Sequence, residues 1–147
     1  MPAAEFMGMA LGGVLAAVFF GLSGVLSKAA AQAGVGLGPY IILAGAGVVG
    51  VGVLFTLLVP GHAVSRAAVT PSIGVGALWG LGAGLVALSL SKYHVPLSKL
   101  VPLYNMNTLV AVLVALWIFA EWEKVHALKL IIGAILVMLG GTLVALA

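Results

Sequence analysis

The chain reads as an all-α integral membrane protein of five transmembrane helices, because of its apolar content, its scarcity of charge and its many glycines. Of 147 residues, 64% are hydrophobic and only 6% are charged, whereas about a quarter of a soluble domain is charged. A mean hydropathy of +1.34 leaves too little polar surface to face water. The 21 glycines suit helices that associate in lipid by close approach of small residues, since lipid tails remove the hydrophobic drive between them. At about 20 apolar residues per crossing there is room for four to six spans and no extramembrane domain. Residues 1–147 are therefore expected to form a single membrane domain. The absence of cysteine excludes disulfides and thiolate sites. A net charge of +3, scattered along the chain, does not describe a nucleic-acid surface.

Span one is expected over residues 6–30. Glu5 stands where a secretory signal carries a cation, and the apolar run after it is long, so the segment is expected to be a mature span. Gly12, Ala16, Ser23 and Ser27 fall near one face at helical spacing. Lys28, near the far end, either snorkels to the headgroups or faces a cavity. The stretch AQAGVGLGP is a tight turn, and Pro39 suits the first turn of span two, residues 40–59, which has no ionisable side chain. Pro60 and Gly61 end that span. In the loop that follows, His62 lies near Arg66 with no second His, Asp or Glu at metal spacing, and it is expected at the interface. Span three, residues 72–91, carries Gly76, Gly80 and Gly84 at four-residue intervals, a groove for a neighbouring helix. Trp79, near its middle, lies too deep for an interfacial belt, so it either fills a helix junction or lines a pocket.

Span four, residues 96–119, holds most of the chain's recognition chemistry. At 100° per residue Ser98, Tyr104, Asn105 and Thr108 share a broad face, with Asn107 at its edge and Lys99 outside it. Amides in hydrocarbon cost free energy unless something satisfies them. Lys99 in the first helical turn opposes the helix dipole, so it either snorkels or answers a negative group. Pro102 removes one donor and is expected to kink the helix, freeing a carbonyl near Ser98. Glu121, Glu123, Lys124, His126 and Lys129 form the last polar junction, flanked by Trp117 and Trp122. Span five, residues 127–146, has Gly133, Gly140 and Gly141 and almost no polar side chain, which suits scaffolding or subunit contact.

The junction ALSLSKYHVPLSKL and the closing EWEKVHALKLIIGAILVMLGGTLVAL resemble the EamA-like domain of the drug/metabolite transporter superfamily. In that family a helix with a short Pro-containing entry precedes an acidic junction, here Glu121, and a Gly-rich final span, here Gly133 to Gly141. Most members carry two such five-span units in inverted orientation, and this chain has one. The resemblance therefore implies a half-transporter unit with alternating access, completed by an antiparallel homodimer, in a prokaryotic inner membrane. Arg66, Lys124 and Lys129 fall on one side and Lys28, Lys92 and Lys99 on the other, so lysine and arginine bias sets no strong direction. If Lys28 and Lys99 are not loop charges, the topology is fixed and a different five-span partner must supply the inverted half. The resemblance puts a small-molecule substrate near the midplane, with Ser23, Ser27, Trp79, Lys99, Tyr104, Asn105, Asn107 and Thr108 as candidate binding residues.

No carboxylate falls inside a span, which argues against proton exchange for a lipophilic cation, as in small multidrug resistance proteins. A neutral, zwitterionic or anionic metabolite suits the lysines better. The polar cluster has a second reading, as interhelical hydrogen bonding that fixes a dimer, and the chain a second class, a membrane accessory or assembly subunit without substrate. An enzyme is not expected, since no catalytic set, metal cluster or phosphate loop can be assembled. No cofactor is expected either.

Overall fold

The computed structural model describes residues 3–59, 61, 64–120 and 125–146. Among these residues every regular element is helical. Five helices are long and apolar enough to cross a membrane: Phe6–Gln32, Leu37–Leu58, Arg66–Ser91, Leu97–Ile118 and Leu128–Leu146. The all-α five-helix class expected from composition is the fold of this multi-pass membrane protein. Large side chains such as Leu57, Leu128 and Trp117 lie exposed on its outside, where a soluble domain would be polar and lipid is the matching solvent. The chain divides into two compact units, Met1–His94 and Val95–Ala147.

In the first unit, span one comprises α1 (Ala3–Met9), a π-helical segment (Ala10–Leu15) and α2 (Ala16–Gln32). Gly12 and Gly13 sit inside the π segment, where weak helix propensity lets the turn widen. Each π bond encloses one residue more than an α bond, so residues before it rotate out of register with those after. Ala16, Ser23 and Ser27 keep their helical spacing within α2, and it is Gly12 that leaves the expected face. Nothing approaches Gly12 within 4 Å, Ser23 is exposed, and the packed stripe runs through buried Gly24 with half-buried Ser27 and Ala31.

The turn after α2 is a Schellman motif. Gly34 adopts φ +79°, its N–H donates to Ala31, and the Val35 N–H donates to Ala30, a geometry that favours glycine. Helix α3 (Leu37–Leu58) follows, with Pro39 in its first turn. Helix α4 (Arg66–Ser91) begins six residues before the expected Ser72. The reason is Ser65, whose Oγ accepts the Ala68 N–H at 3.2 Å and caps the helix. Both α2 and α3 pack on α4. Ile41 of α3 lies over Gly80 and Gly84, 3.9 and 3.8 Å from where their Cβ atoms would stand, while Gly76 has open space. The expected glycine groove is real over its second half.

In the second unit, span four is two helices, α5 (Leu97–Tyr104) and α6 (Asn107–Ile118), and α7 (Ala127–Leu146) packs against both. A single helix over residues 96–119 is thus corrected to a broken one. Leu116 of α6 and Ala134 of α7 are buried. Helix α6 ends on Ala120 at φ 49°, the left-handed position that glycine fills at the end of α2. Pro60, His62, Glu121, Trp122, Glu123 and Lys124 lie outside the described residues.

Candidate functional site

The break in span four falls on the polar cluster. Asn105 (φ −66°, ψ −9°) and Met106 (φ −60°, ψ −13°) join the two half-helices. Through them the backbone shortens its bonds. Met106 N–H donates to Leu103 at 3.1 Å, Thr108 to Asn105 at 3.1 Å and Leu109 to Met106 at 3.0 Å. An unbroken α-helix would direct the first two at the Pro102 and Tyr104 carbonyls. The break lies about 12 Å along the span at 1.5 Å per residue, well inside the hydrocarbon. The shift to shorter bonds takes the α-helical donors from the Pro102 and Tyr104 carbonyls, while the N–H groups of Met106, Thr108 and Leu109 stay bonded within the turn. Irregular backbone at this depth persists only against protein or a water-lined cavity.

Two features hold the chain in this form. Asparagine at 105 and 107 is a weak helix former. The second feature is tertiary. A Cβ built on Gly141 would stand 2.8 Å from the Pro102 carbonyl oxygen, so α7 reaches the α5 backbone at a point only glycine permits. That approach places the Gly141 backbone against the carbonyl that has given up its α-helical donor, a setting for a Cα–H···O contact.

The side chains at the break are mostly exposed and unbonded. Asn105, Asn107 and Thr108 are exposed and Tyr104 is half-buried. Among the described residues none of these four makes a side-chain hydrogen bond, in contrast to several other intramembrane hydroxyls. Thr56, Ser72, Ser89 and Thr142 each donate to the carbonyl four residues earlier, at 2.7–3.0 Å. Lys99 is half-buried in the first turn of α5, its N–H donating to Pro96 at 3.1 Å. The second unit also contains an apolar cavity of about 250 Å³, lined by Ala111, Val112, Ala115, Leu116, Val125 and Leu130. None of the polar cluster borders it.

The first unit holds Ser23, Ser27 and Trp79. Ser23 Oγ donates to the Phe20 carbonyl at 2.8 Å, and Ser27 Oγ donates to the Ser23 carbonyl at 3.0 Å. Ser27 also meets the Tyr40 hydroxyl at 2.6 Å. A small cavity of about 10 Å³ opens there, bordered by Ser27, Tyr40 and Ser91 with Ala31, Val35, Leu37 and Ala87. Trp79 borders neither this cavity nor the apolar one; it is half exposed on α4. Tyr40 is the residue that sequence reasoning passed over, because span two looked like packing material. The available signal was topological: a tight turn brings the final two turns of one helix beside the first turn of the next, and each carries a hydroxyl.

No protein-family model, curated protein or solved structure matches the chain. The functional reading therefore rests on the residues themselves. Among the described residues no group of three His, Cys, Asp or Glu side chains is placed to hold a metal ion.

Proposed function

We propose that the chain is half of a secondary transporter for a small neutral, zwitterionic or anionic metabolite, working by alternating access in a prokaryotic inner membrane. A second copy inserted in the opposite sense completes it. The observation that carries this reading is the coincidence of the helix break with the polar cluster of span four. Discontinuous helices near the midplane are a recurring way to bring half-helix ends and backbone groups to a substrate. Here the Tyr104 carbonyl, released from its α-helical donor, and the side chains of Tyr104, Asn105, Asn107 and Thr108 would bind it together. The half-buried Lys99 in the first turn of α5 favours an anionic or zwitterionic group. The likeness to EamA-like domains supports the same reading, and a single five-span unit needs an inverted counterpart to make two sides of a pathway.

Purified protein in vesicles tests it directly. A panel of amino acids, organic acids and uncharged metabolites is expected to contain one that accumulates or exchanges, and Asn105→Leu is expected to abolish that flux while the oligomer stays intact. Loss of the oligomer in Asn105→Leu would make the cluster an assembly contact. Single cysteines at Val64 and Tyr93, at opposite ends of α4 in a chain with no native thiol, report orientation. Each is expected to label from both faces of the membrane. One-sided labelling of both would remove the antiparallel homodimer and require a different partner.

A further inference from the structure

The glycine stripe of α4 is filled over one half and open over the other, and an unpaired donor stands at the boundary. Ile41 of α3 covers Gly80 and Gly84, while a Cβ on Gly76 would meet nothing within 4 Å. One turn from Gly76 comes Trp79, 45% exposed and level with the middle of its span. The side-chain hydrogen bonds made from α4 are those of Ser72, Ser89 and Ser91, each to the carbonyl four residues earlier. The Trp79 indole N–H makes none among the described residues. In hydrocarbon no water takes that place, so the donor calls for an acceptor on whatever covers this face.

At 100° per residue Ser72, Gly76 and Trp79 lie within about 60° of one another around α4. The patch therefore carries both a knob, Trp79, and a hole, Gly76, as a surface that meets its own copy about a two-fold axis must. Copies of opposite orientation are related by an axis in the membrane plane, at mid-depth. Helix α4 runs from Arg66 to Ser91, so its midpoint falls between Leu78 and Trp79. Seating Trp79 of one copy on Gly76 of the other puts the axis between Ala77 and Leu78, about one residue from that midpoint. The same pairing brings the indole N–H within one turn of the other copy's Ser72. That hydroxyl gives its proton to the Ala68 carbonyl at 2.7 Å and keeps its lone pairs to accept. We propose that this patch is the contact between two oppositely inserted copies, each Trp79 seated on the other's Gly76 with its N–H donated to Ser72 Oγ. The proposal rests on the antiparallel assembly inferred above, names its surface, and requires nothing of the polar cluster in span four.

Cross-linking in membranes tests the contact. Two differently tagged full-length copies, one Gly76→Cys and the other Trp79→Cys, are expected to be joined by a short bismaleimide, since the second Trp79–Gly76 contact of that pair is intact. Ser72→Cys alone is expected not to link to itself, because opposite insertion separates the two positions by about 16 Å along the helices. Self-linking at Ser72 means parallel copies and overturns the inference. Energy transfer between labelled copies in detergent then gives the dissociation constant. Gly76→Ile is expected to weaken association about tenfold or more by filling the hole. Trp79→Phe and Ser72→Ala are each expected to weaken it about threefold, and the double variant no further than either one. Unchanged association in Gly76→Ile and Trp79→Phe overturns the inference; if Gly76→Ile fails to fold, Trp79→Phe and Ser72→Ala decide. Labelling of Val64→Cys and Tyr93→Cys from both faces without a Gly76–Trp79 link leaves the antiparallel assembly standing and removes this surface. One-sided labelling removes both.

Discussion

Pro71 and Pro102 are each the sixth residue of their helix, yet α4 runs on for 20 residues past the first while α5 stops two residues past the second. Both remove one amide donor. After Pro71 come small and aliphatic residues, and Ser72 returns its hydroxyl to Ala68 at 2.7 Å, so the ladder resumes. Beyond Pro102 stand Asn105 and Asn107, and Gly141 of α7 presses on the Pro102 carbonyl. The ends differ too: Ser65 caps α4 through its side chain, whereas Pro96 at the start of α5 makes no such bond. A proline thus weakens a membrane helix, and neighbours decide whether it breaks.

That contrast can be broken or sharpened by substitution. The largest effect is expected at Gly141→Ala, because a methyl 2.8 Å from a backbone oxygen forces α7 away from α5. Overpacking of this kind costs about 1–3 kcal/mol, read as a lowered unfolding midpoint in detergent. An unchanged midpoint would show that the contact does not hold the break. Next comes Pro102→Ala. It supplies a donor for the Ser98 carbonyl, a gain of about 1 kcal/mol, but the Asn105–Met106 turn lies beyond it. Amides 105–109 are therefore expected to exchange as fast as before, and protection rising to that of mid-α4 would make the proline alone the cause.

At the other end of the comparison, Ser65→Ala removes the α4 cap, a loss of about 0.5–1 kcal/mol. Faster exchange is expected at the amides of residues 66–69 only; spread of the effect past Pro71 would mean that α4 depends on its cap as one unit. Gly84→Ala is expected to move stability least. Its Cβ would meet Ile41 at an ordinary 3.8 Å, so the gain in helix propensity leaves the chain stabilised by a few tenths of a kcal/mol. A loss comparable with that of Gly141→Ala would mean that the two glycines serve the same purpose, and the contrast would be gone.

The sequence by itself determined the class, the number of spans and the location of polar chemistry. Each follows from composition and local order: apolar runs of span length fold as helices because nothing else satisfies the backbone in lipid. Asn105, Asn107 and Thr108 were legible as unusual because amides are costly there. Only the tertiary structure decided what those residues do to the helix. Periodicity at 100° per residue assumes an unbroken ladder, and two departures from it, the π segment at Gly12–Gly13 and the turn at Asn105–Met106, rotate every residue beyond them. The partner of Gly141 was out of reach, since the contact Gly141–Pro102 joins residues on helices that no short turn brings together. Hydrophobic pattern says that two helices cross lipid, and not which atoms of one come to rest against the other.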